Sequence, residues 1–127
     1  EDPEPLRPSP RARSFSQERT LADPTLEENV LGSVLTELAE RLGRILLREQ
    51  RAARTITVVF RFVDDEQQSR TRTLDAAIAS AREIREVALE LLARSHASIR
   101  SVRRVRLQLT NLAHSRPAED SRQLRLF

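Results

Sequence analysis

Two stretches of the chain repeat apolar residues every three or four positions, which is the spacing of one face of a helix. They cover residues 25–50 and 76–95. The stripe of the first stretch comprises Leu26, Val30, Val34, Leu38, Leu42 and Ile45, widened by Leu31, Leu35 and Leu46. The stripe of the second comprises Ile78, Ala81, Ile84, Val87, Ala88, Leu91 and Leu92. The pattern predicts two amphipathic helices.

The start of each predicted helix carries a side chain that can accept a hydrogen bond from the first turn. Asp23-Pro24 or Thr25 offers the cap of the first helix, and Thr25 followed by Glu28 matches a capping box. Asp75 precedes the second apolar stripe and is its predicted N-cap.

Four other segments have the character of strands, and they are predicted at residues 14–21, 54–63, 68–74 and 99–112. The second alternates with period two, so that one face is apolar and the other polar. Its apolar face comprises Ile56, Val58, Phe60 and Phe62. The polar residues 64–67 form a turn, so the second and third strands are predicted to pair as a hairpin.

The predicted order is therefore β-α-β-β-α-β. Two amphipathic helices require an apolar sheet face to cover, and four half-buried strands supply one. The sequence predicts an α+β fold, a two-layer sandwich with a four-stranded sheet, two helices on one face and the other face open. Residues 1–13 hold four prolines and are predicted to be a linker, residues 14–112 the folded domain, and residues 113–127 a flexible tail.

Composition narrows the classes of function. The chain has no cysteine, which excludes disulfides, thiolate metal sites and cysteine nucleophiles. Its two glycines cannot form a glycine-rich phosphate loop. No apolar run has the length of a membrane span and no signal peptide is evident, so a cytoplasmic protein without membrane contact is predicted.

No catalytic constellation stands out. His96 and His114 are isolated among polar neighbours, and the acidic residues 64–66 point in different directions at a hairpin tip. We predict a solvated turn there, no metal ligands and no cofactor in this domain. Helix carboxylates fit a solvated face with partners four residues away.

Charge is segregated, although the formal net charge is only +3. The three clearest strands hold eight arginines and no acidic residue, whereas the acids lie on the helices, in the turn and at the chain ends. Arginines spread over an open sheet face suit phosphate groups. The alternatives are a solvated face that blocks edge pairing, or acidic protein partners or lipid. The eight are Arg54, Arg61, Arg70, Arg72, Arg100, Arg103, Arg104 and Arg106.

Aromatic residues distinguish two modes of nucleic-acid binding. Base stacking on a sheet requires exposed aromatic side chains. The chain has no Trp or Tyr, and Phe60 and Phe62 fall on the apolar face. Contact with the phosphate backbone, without sequence readout, is the predicted mode.

The chain ends in three large apolar residues after a polar stretch, Gln123-Leu124-Arg125-Leu126-Phe127. We predict a docking peptide in which Leu124, Leu126 and Phe127 anchor in an apolar groove and Gln123 bonds at its rim. The alternative is that this tail packs back on its own domain.

Four segments, in order, carry a resemblance to a known family. Residues 14–20 are similar to the Ser-x-[Gly/Ser]-x-Glu-Arg-Thr segment that enters the C-terminal little finger domain of Y-family DNA polymerases of the bacterial DNA polymerase IV type. Residues 53–58 with 70–74 resemble the central hairpin of that domain, and 102–112 its last strand. Residues 123–127 resemble the β-clamp-binding pentapeptide. Arg106 departs from the family pattern, because relatives often have a small residue such as glycine there.

The resemblance implies a parent polymerase that copies damaged DNA in repair and replication, with its Mg²⁺-binding carboxylates in a palm domain absent here. It implies a monomer whose partners are primer–template duplex DNA, the β sliding clamp and the parent's palm, thumb and fingers domains. Rival functions are a protein-interaction module anchored by its tail, or an RNA-binding α+β domain. The predicted DNA contacts are Ser14, Ser16, Arg19, Arg61, Arg70, Arg72, Arg103 and Arg104; the predicted clamp contacts are Gln123, Leu124, Leu126 and Phe127.

Overall fold

A computed structural model describes residues 13–95 and 100–114. The predicted α+β sandwich and its β-α-β-β-α-β order are confirmed. The predicted linker 1–13 lies outside the described residues apart from Arg13, and so does the predicted tail apart from the two residues that extend the last strand. The elements are β1 (Phe15–Thr25), α1 (Glu28–Glu49), β2 (Arg51–Phe62), β3 (Gln67–Ile78), α2 (Ala81–Ala93) and β4 (Val102–His114).

The four strands form one antiparallel sheet in the order β1-β4-β2-β3. Apolar residues of the two central strands are direct cross-strand neighbours, as in the pairs Ile56–Leu109 and Phe60–Val105. These residues are fully buried and belong to one core cluster with the inward faces of α1 and α2. The helices therefore cover one face of the sheet, and the opposite face is open.

The predicted capping box at the start of α1 is wrong. Thr25 is the last residue of β1, where it pairs with Val102, so it lies too far from the helix to cap it. Its hydroxyl instead accepts the N–H of Glu27 at 3.0 Å, and Glu27 occupies the cap position without a side-chain cap bond. The helix begins at Glu28.

Two residues at the N-terminal end of the predicted apolar stripe are not buried. Leu26, which precedes α1, and Val30 are 44% and 40% exposed, whereas Leu31 and Leu35 of the same predicted stripe are completely buried.

The predicted cap of α2 by Asp75 is wrong as well. The third strand continues to Ile78, which pairs with Ala53, so Asp75 lies within β3. The cap is Ser80, whose hydroxyl accepts the N–H of Glu83 at 3.1 Å, while the Glu83 carboxylate accepts the N–H of Ser80 at 3.4 Å. This reciprocal pair is a capping box and fixes the start of α2.

The two helices approach each other closely at Gly43. A Cβ atom at this position would lie 2.9 Å from both the Cβ and the backbone nitrogen of Ala81. At Gly32, a Cβ would lie 3.4 Å from the Leu89 side chain, which is ordinary contact. Gly43 is therefore required by packing, and Gly32 is not.

We expect Gly43→Ala to lower the free energy of unfolding by about 1–2 kcal/mol, because the overpacking cost exceeds the roughly 1 kcal/mol by which alanine favours a helix. Gly32→Ala is the matched control and should raise that free energy by up to about 1 kcal/mol. Urea unfolding of both variants measures the difference. Equal stabilisation by both substitutions would show that the close approach costs nothing to fill.

Candidate nucleic-acid interface

The register of the sheet decides which side chains lie on its open face, since directly paired residues share a face. These side chains are mostly hydroxyl and amide groups, without an aromatic ring among them. Hydroxyl pairs bond across β2 and β3 at 3.1 Å (Thr55–Thr73) and 3.0 Å (Thr57–Thr71). The open face comprises Ser16, Glu18 and Thr20 of β1, Arg104, Arg106, Gln108 and Thr110 of β4, Thr55, Thr57, Val59 and Arg61 of β2, and Gln67, Ser69, Thr71 and Thr73 of β3.

Three arginines of this face, Arg61, Arg104 and Arg106, are here called the open-face arginines. Arg61 and Arg104 lie directly opposite each other on the central strands. Neutral acceptors orient them: Arg61 donates to the Asp65 carbonyl at 3.2 Å and to the Gln67 side chain at 3.0 Å. Arg104 donates to the Thr20 hydroxyl at 3.3 Å. Like charges directly opposite in a sheet are destabilising, so this arrangement suits an anionic ligand.

Arg106 is the third open-face arginine, although it was not among the predicted DNA contacts. It is exposed and lies opposite Val59 on one side and Glu18 on the other. Within residues 13–95 and 100–114, it forms no ion pair with Glu18. Its strand parity with Arg104 was the signal that could have included it. Together these groups line a shallow depression of the sheet surface.

The two predicted serine contacts lie at the start of β1. Ser16 is on the open face, opposite Gln108 of β4. Ser14 is exposed and precedes β1 directly. Their contacts with DNA stay predictions.

Arg70 and Arg72 were predicted to share the arginine face, and this placement is wrong. In the register of β2 and β3, they lie opposite the buried residues Val58 and Ile56, so they point to the helical layer. Arg72 forms an ion pair with Glu90 of α2, and Arg70 donates to the carbonyl of Arg94 at 3.3 Å. Arg94 is the C-cap of α2, and a cation is favourable at the C-terminus of a helix.

Arg19 is also on the helical side of the sheet. It lies opposite buried Val105 and forms an ion pair with Glu37 of α1. Arg19 therefore does not lie on the open face, and its predicted DNA contact stays a prediction.

Arg103 lies between the two faces. The pairing of β2 with β4 passes from Arg61–Arg104 to Phe62–Val102, so Arg103 is the extra residue of a bulge. Its guanidinium forms an ion pair with Asp65 in the turn between β2 and β3. It is next to the open face but already has a carboxylate partner.

The acidic turn at residues 64–66 is confirmed as a turn with solvent-exposed side chains. The pKa of Asp64 lies below its ordinary value, chiefly because its carboxylate accepts the N–H of Glu66, with Arg100 adding to the effect. The Asp64 carboxylate therefore keeps its negative charge to lower pH than an isolated aspartate. Asp65 adopts a left-handed backbone with φ of 71°.

The described part of the chain offers neither a metal centre nor a membrane-spanning helix. Within residues 13–95 and 100–114, no group of three or more His, Asp or Glu side chains is arranged to hold a metal ion. The carboxylates of the acidic turn are directed at arginines, so they do not fit the Mg²⁺ that the family resemblance implies for a parent enzyme. Neither α1 nor α2 is long and apolar enough to cross a membrane.

Fold and site together define the class: an α+β domain with two helices on one face of a sheet and arginines on the other. The chain belongs to the family described as the impB/mucB/samB family C-terminal domain, which it matches over residues 12–126. The resemblance to the C-terminal domain of Y-family polymerases is thereby confirmed. The clamp-binding motif of the tail stays a prediction.

Curated relatives are DNA polymerases. The chain is 32% identical over 91 residues to DNA polymerase IV 2 of Mesorhizobium japonicum, covering 72% of this chain and 22% of the relative. It is 36% identical over 80 residues to DNA polymerase kappa of Mus musculus, covering 63% of this chain and 9% of the relative. The chain thus spans less than a quarter of the length of these two relatives.

Solved structures share the fold at low identity. A chimaeric Y-family DNA polymerase is 21% identical with a TM-score of 0.71, over 83% of this chain and 30% of that one. The little finger domain of PolIV, solved in complex with the beta-clamp processivity factor, is 18% identical with a TM-score of 0.63, over 83% of this chain and 94% of that one. These likenesses show that the chain shares the fold of those domains.

Proposed function

We propose that this domain binds duplex DNA through the open face of its sheet, as the little finger of a Y-family polymerase in translesion synthesis. The open-face arginines neutralise phosphates of the primer–template duplex, and the surrounding hydroxyl groups, with Ser14 and Ser16 at the edge, add hydrogen bonds to phosphate oxygens. The absence of aromatic rings from the described open face favours binding that is blind to base sequence.

One observation carries the proposal: Arg61 and Arg104 are held directly opposite each other without a carboxylate partner among the described residues. Arg72, Arg100 and Arg103, by contrast, each form an ion pair with a carboxylate. A protein that used arginines only for solubility would gain from pairing these two as well. Phosphate supplies the missing charge, because guanidinium binds it in a planar, two-pronged geometry.

The parent's activity is part of the proposal. We infer nucleotidyl transfer to DNA, because the curated relatives are named as DNA polymerases. Mg²⁺ would serve that chemistry through carboxylates of a palm domain, and this domain's residues would hold the duplex. Cytoplasmic location and a monomeric state stay predictions.

The second proposed partner binds the C-terminal tail. We propose that Gln123, Leu124, Leu126 and Phe127 dock on the β sliding clamp, with the apolar side chains as anchors. A little finger domain of the same fold has been solved in complex with a clamp, which supports this partner. The tail lies outside the described residues, so the proposal rests on its sequence.

The duplex proposal predicts a steep salt dependence. If each open-face arginine neutralises one phosphate, the slope of log affinity against log salt should be roughly −2.7 or steeper. Fluorescence anisotropy with a labelled duplex between 50 and 500 mM salt measures it, with single-stranded RNA of equal length as comparison. Tighter binding to the RNA would favour the RNA-binding alternative. No duplex binding at any salt concentration would leave the protein-interaction alternative.

A further inference from the structure

Next to the open face lies a compact set of opposite charges. We call the side chains of Asp64, Asp65 and Glu66 the acidic tip, and those of Arg100 and Arg103 the tip arginines. Arg100 bonds to Asp64 at 2.6 Å and to Glu66 at 3.3 Å, and Arg103 bonds to Asp65. The acidic tip therefore occupies both tip arginines.

Backbone geometry holds this set in place. The Asp64 carboxylate accepts the N–H of Glu66 at 3.1 Å, and Asp65 adopts the left-handed conformation that closes the turn. The Arg100 guanidinium lies over the Phe62 ring at 4.2 Å from its centroid. The Nε atom of Arg103 is buried without a partner in the described residues, so only the outer nitrogens of this guanidinium can change partner.

The tip arginines are continuous with the open-face arginines. Arg103 directly precedes Arg104, and Arg61 donates to the carbonyl of Asp65 in the turn itself. Without the carboxylates of the acidic tip, Arg103 would extend the row of open-face arginines, and Arg100 would lie beyond it over the ring of the buried Phe62. With them, both tip arginines are neutralised and a surplus carboxylate stands beside the three open-face arginines.

The ion pairs of the acidic tip are weak enough for the tip arginines to exchange their carboxylate partners for phosphate. Asp64 and Asp65 are 54% and 71% exposed in their side chains, and exposed ion pairs are weak and screened by salt. A phosphate group offers the same charge with more acceptor oxygens. The pKa of Asp64 lies below its ordinary value, chiefly because its carboxylate accepts the Glu66 N–H, so this carboxylate keeps its charge to lower pH than an isolated aspartate.

We propose that the acidic tip is a built-in competitor for phosphate, which masks the tip arginines and limits how tightly the open face holds DNA. The inference rests on the proposed duplex binding and concerns its regulation. The consequence is a surface that holds the duplex loosely enough to slide, with a reserve of two further phosphate contacts.

The test is the triple variant Asp64→Asn, Asp65→Asn, Glu66→Gln in the 127-residue chain. These substitutions keep the side-chain volumes and the acceptor for the Glu66 N–H, and asparagine tolerates the left-handed conformation. We expect tighter duplex binding at 50 mM salt and a slope steeper by roughly 1.8, which adds about a tenfold loss of affinity between 50 and 200 mM salt. The matched control, with the same change in net charge on the helices, is Glu40→Gln, Glu49→Gln, Glu86→Gln.

A cycle with Arg100→Gln, Arg103→Gln identifies the source of the gain. In the wild-type background these substitutions leave the acidic tip without its partners and should weaken duplex binding, because three unpaired carboxylates then repel the DNA, but they should remove the gain of the triple variant. A gain no larger than that of the helix control, or one that survives loss of both arginines, would overturn the proposal. Wild-type binding is read in the same titration, so its absence identifies failure of the proposed function itself.

Discussion

Replacing the open-face arginines together, as Arg61→Gln, Arg104→Gln, Arg106→Gln, is expected to weaken duplex binding about a hundredfold at 150 mM salt. Three phosphate contacts contribute roughly −2.7 to the salt slope, which corresponds to about two powers of ten between 1 M and 150 mM salt. The same titration should show a slope reduced by that amount. Anisotropy with a labelled duplex measures both quantities.

Stability separates this result from misfolding. Because Arg61 and Arg104 are like charges on directly paired positions, their removal should leave the free energy of unfolding unchanged or raise it by about 0.5 kcal/mol.

The matched control is Arg41→Gln, Arg72→Gln, Arg94→Gln, which removes three arginines that are paired with Glu37 or Glu90 in the helical layer. These charges lie behind the sheet and are screened from the duplex, so affinity should fall by less than about threefold. If the control variant loses as much affinity as the open-face variant, net charge and not the open face determines binding.

Deletion of the last five residues, 123–127, is expected to abolish binding to a β sliding clamp and to leave duplex binding within about twofold. Burial of each large apolar side chain contributes roughly 1.5–3 kcal/mol. Loss of Leu124, Leu126 and Phe127 together should therefore cost at least about a thousandfold in affinity. Surface plasmon resonance with immobilised clamp measures the first effect, and the duplex titration the second.

The control is a double substitution that keeps the length of the tail and its apolar anchors but removes two positive charges. Arg122→Ala, Arg125→Ala changes two polar neighbours of the anchors and should retain most of the clamp binding. The alternative, in which the tail packs on its own domain, makes a different prediction: the deletion would then lower the free energy of unfolding by several kcal/mol. Unchanged clamp binding after the deletion would contradict the docking proposal.

Sequence patterns predicted the element order and the fold class because the central strands and the helices each carry a clear apolar period. The ends of the elements were harder. Asp75 and Ser80 are both acceptable helix caps, and only the pairing of Ile78 with Ala53 shows that β3 continues past the first of them. Long-range pairing of this kind has no local signal.

The chemistry of the candidate site, arginines on an open sheet face, was predicted correctly, but only some of its residues were. Leu74 is the one large apolar residue in the segment 68–74 and packs partly buried against the core. It shares strand parity with Arg70 and Arg72, so period two counted from Leu74 would have placed both on the helical side. Phe15 and Leu21 give the same information for Arg19 in β1.

The ion pairs of the acidic tip could not be predicted from the sequence. They depend on a bulge at Arg103 that brings residues far apart in the chain together. No spacing of residue types announces such a bulge, whereas the parity of Arg104 and Arg106 on β4 was available from alternation alone.

The sheet order has a consequence for how the domain is made. The first strand synthesised, β1, is an edge strand beside β4, the last strand to emerge, and Phe15 pairs with Leu109 across nearly the whole length of the described chain. On a ribosome, β1 must therefore wait without its neighbour until translation has passed β4, because long-range contacts close last. A nascent chain arrested before residue 102 lacks the central β4 and cannot complete the surface on which the open-face arginines meet.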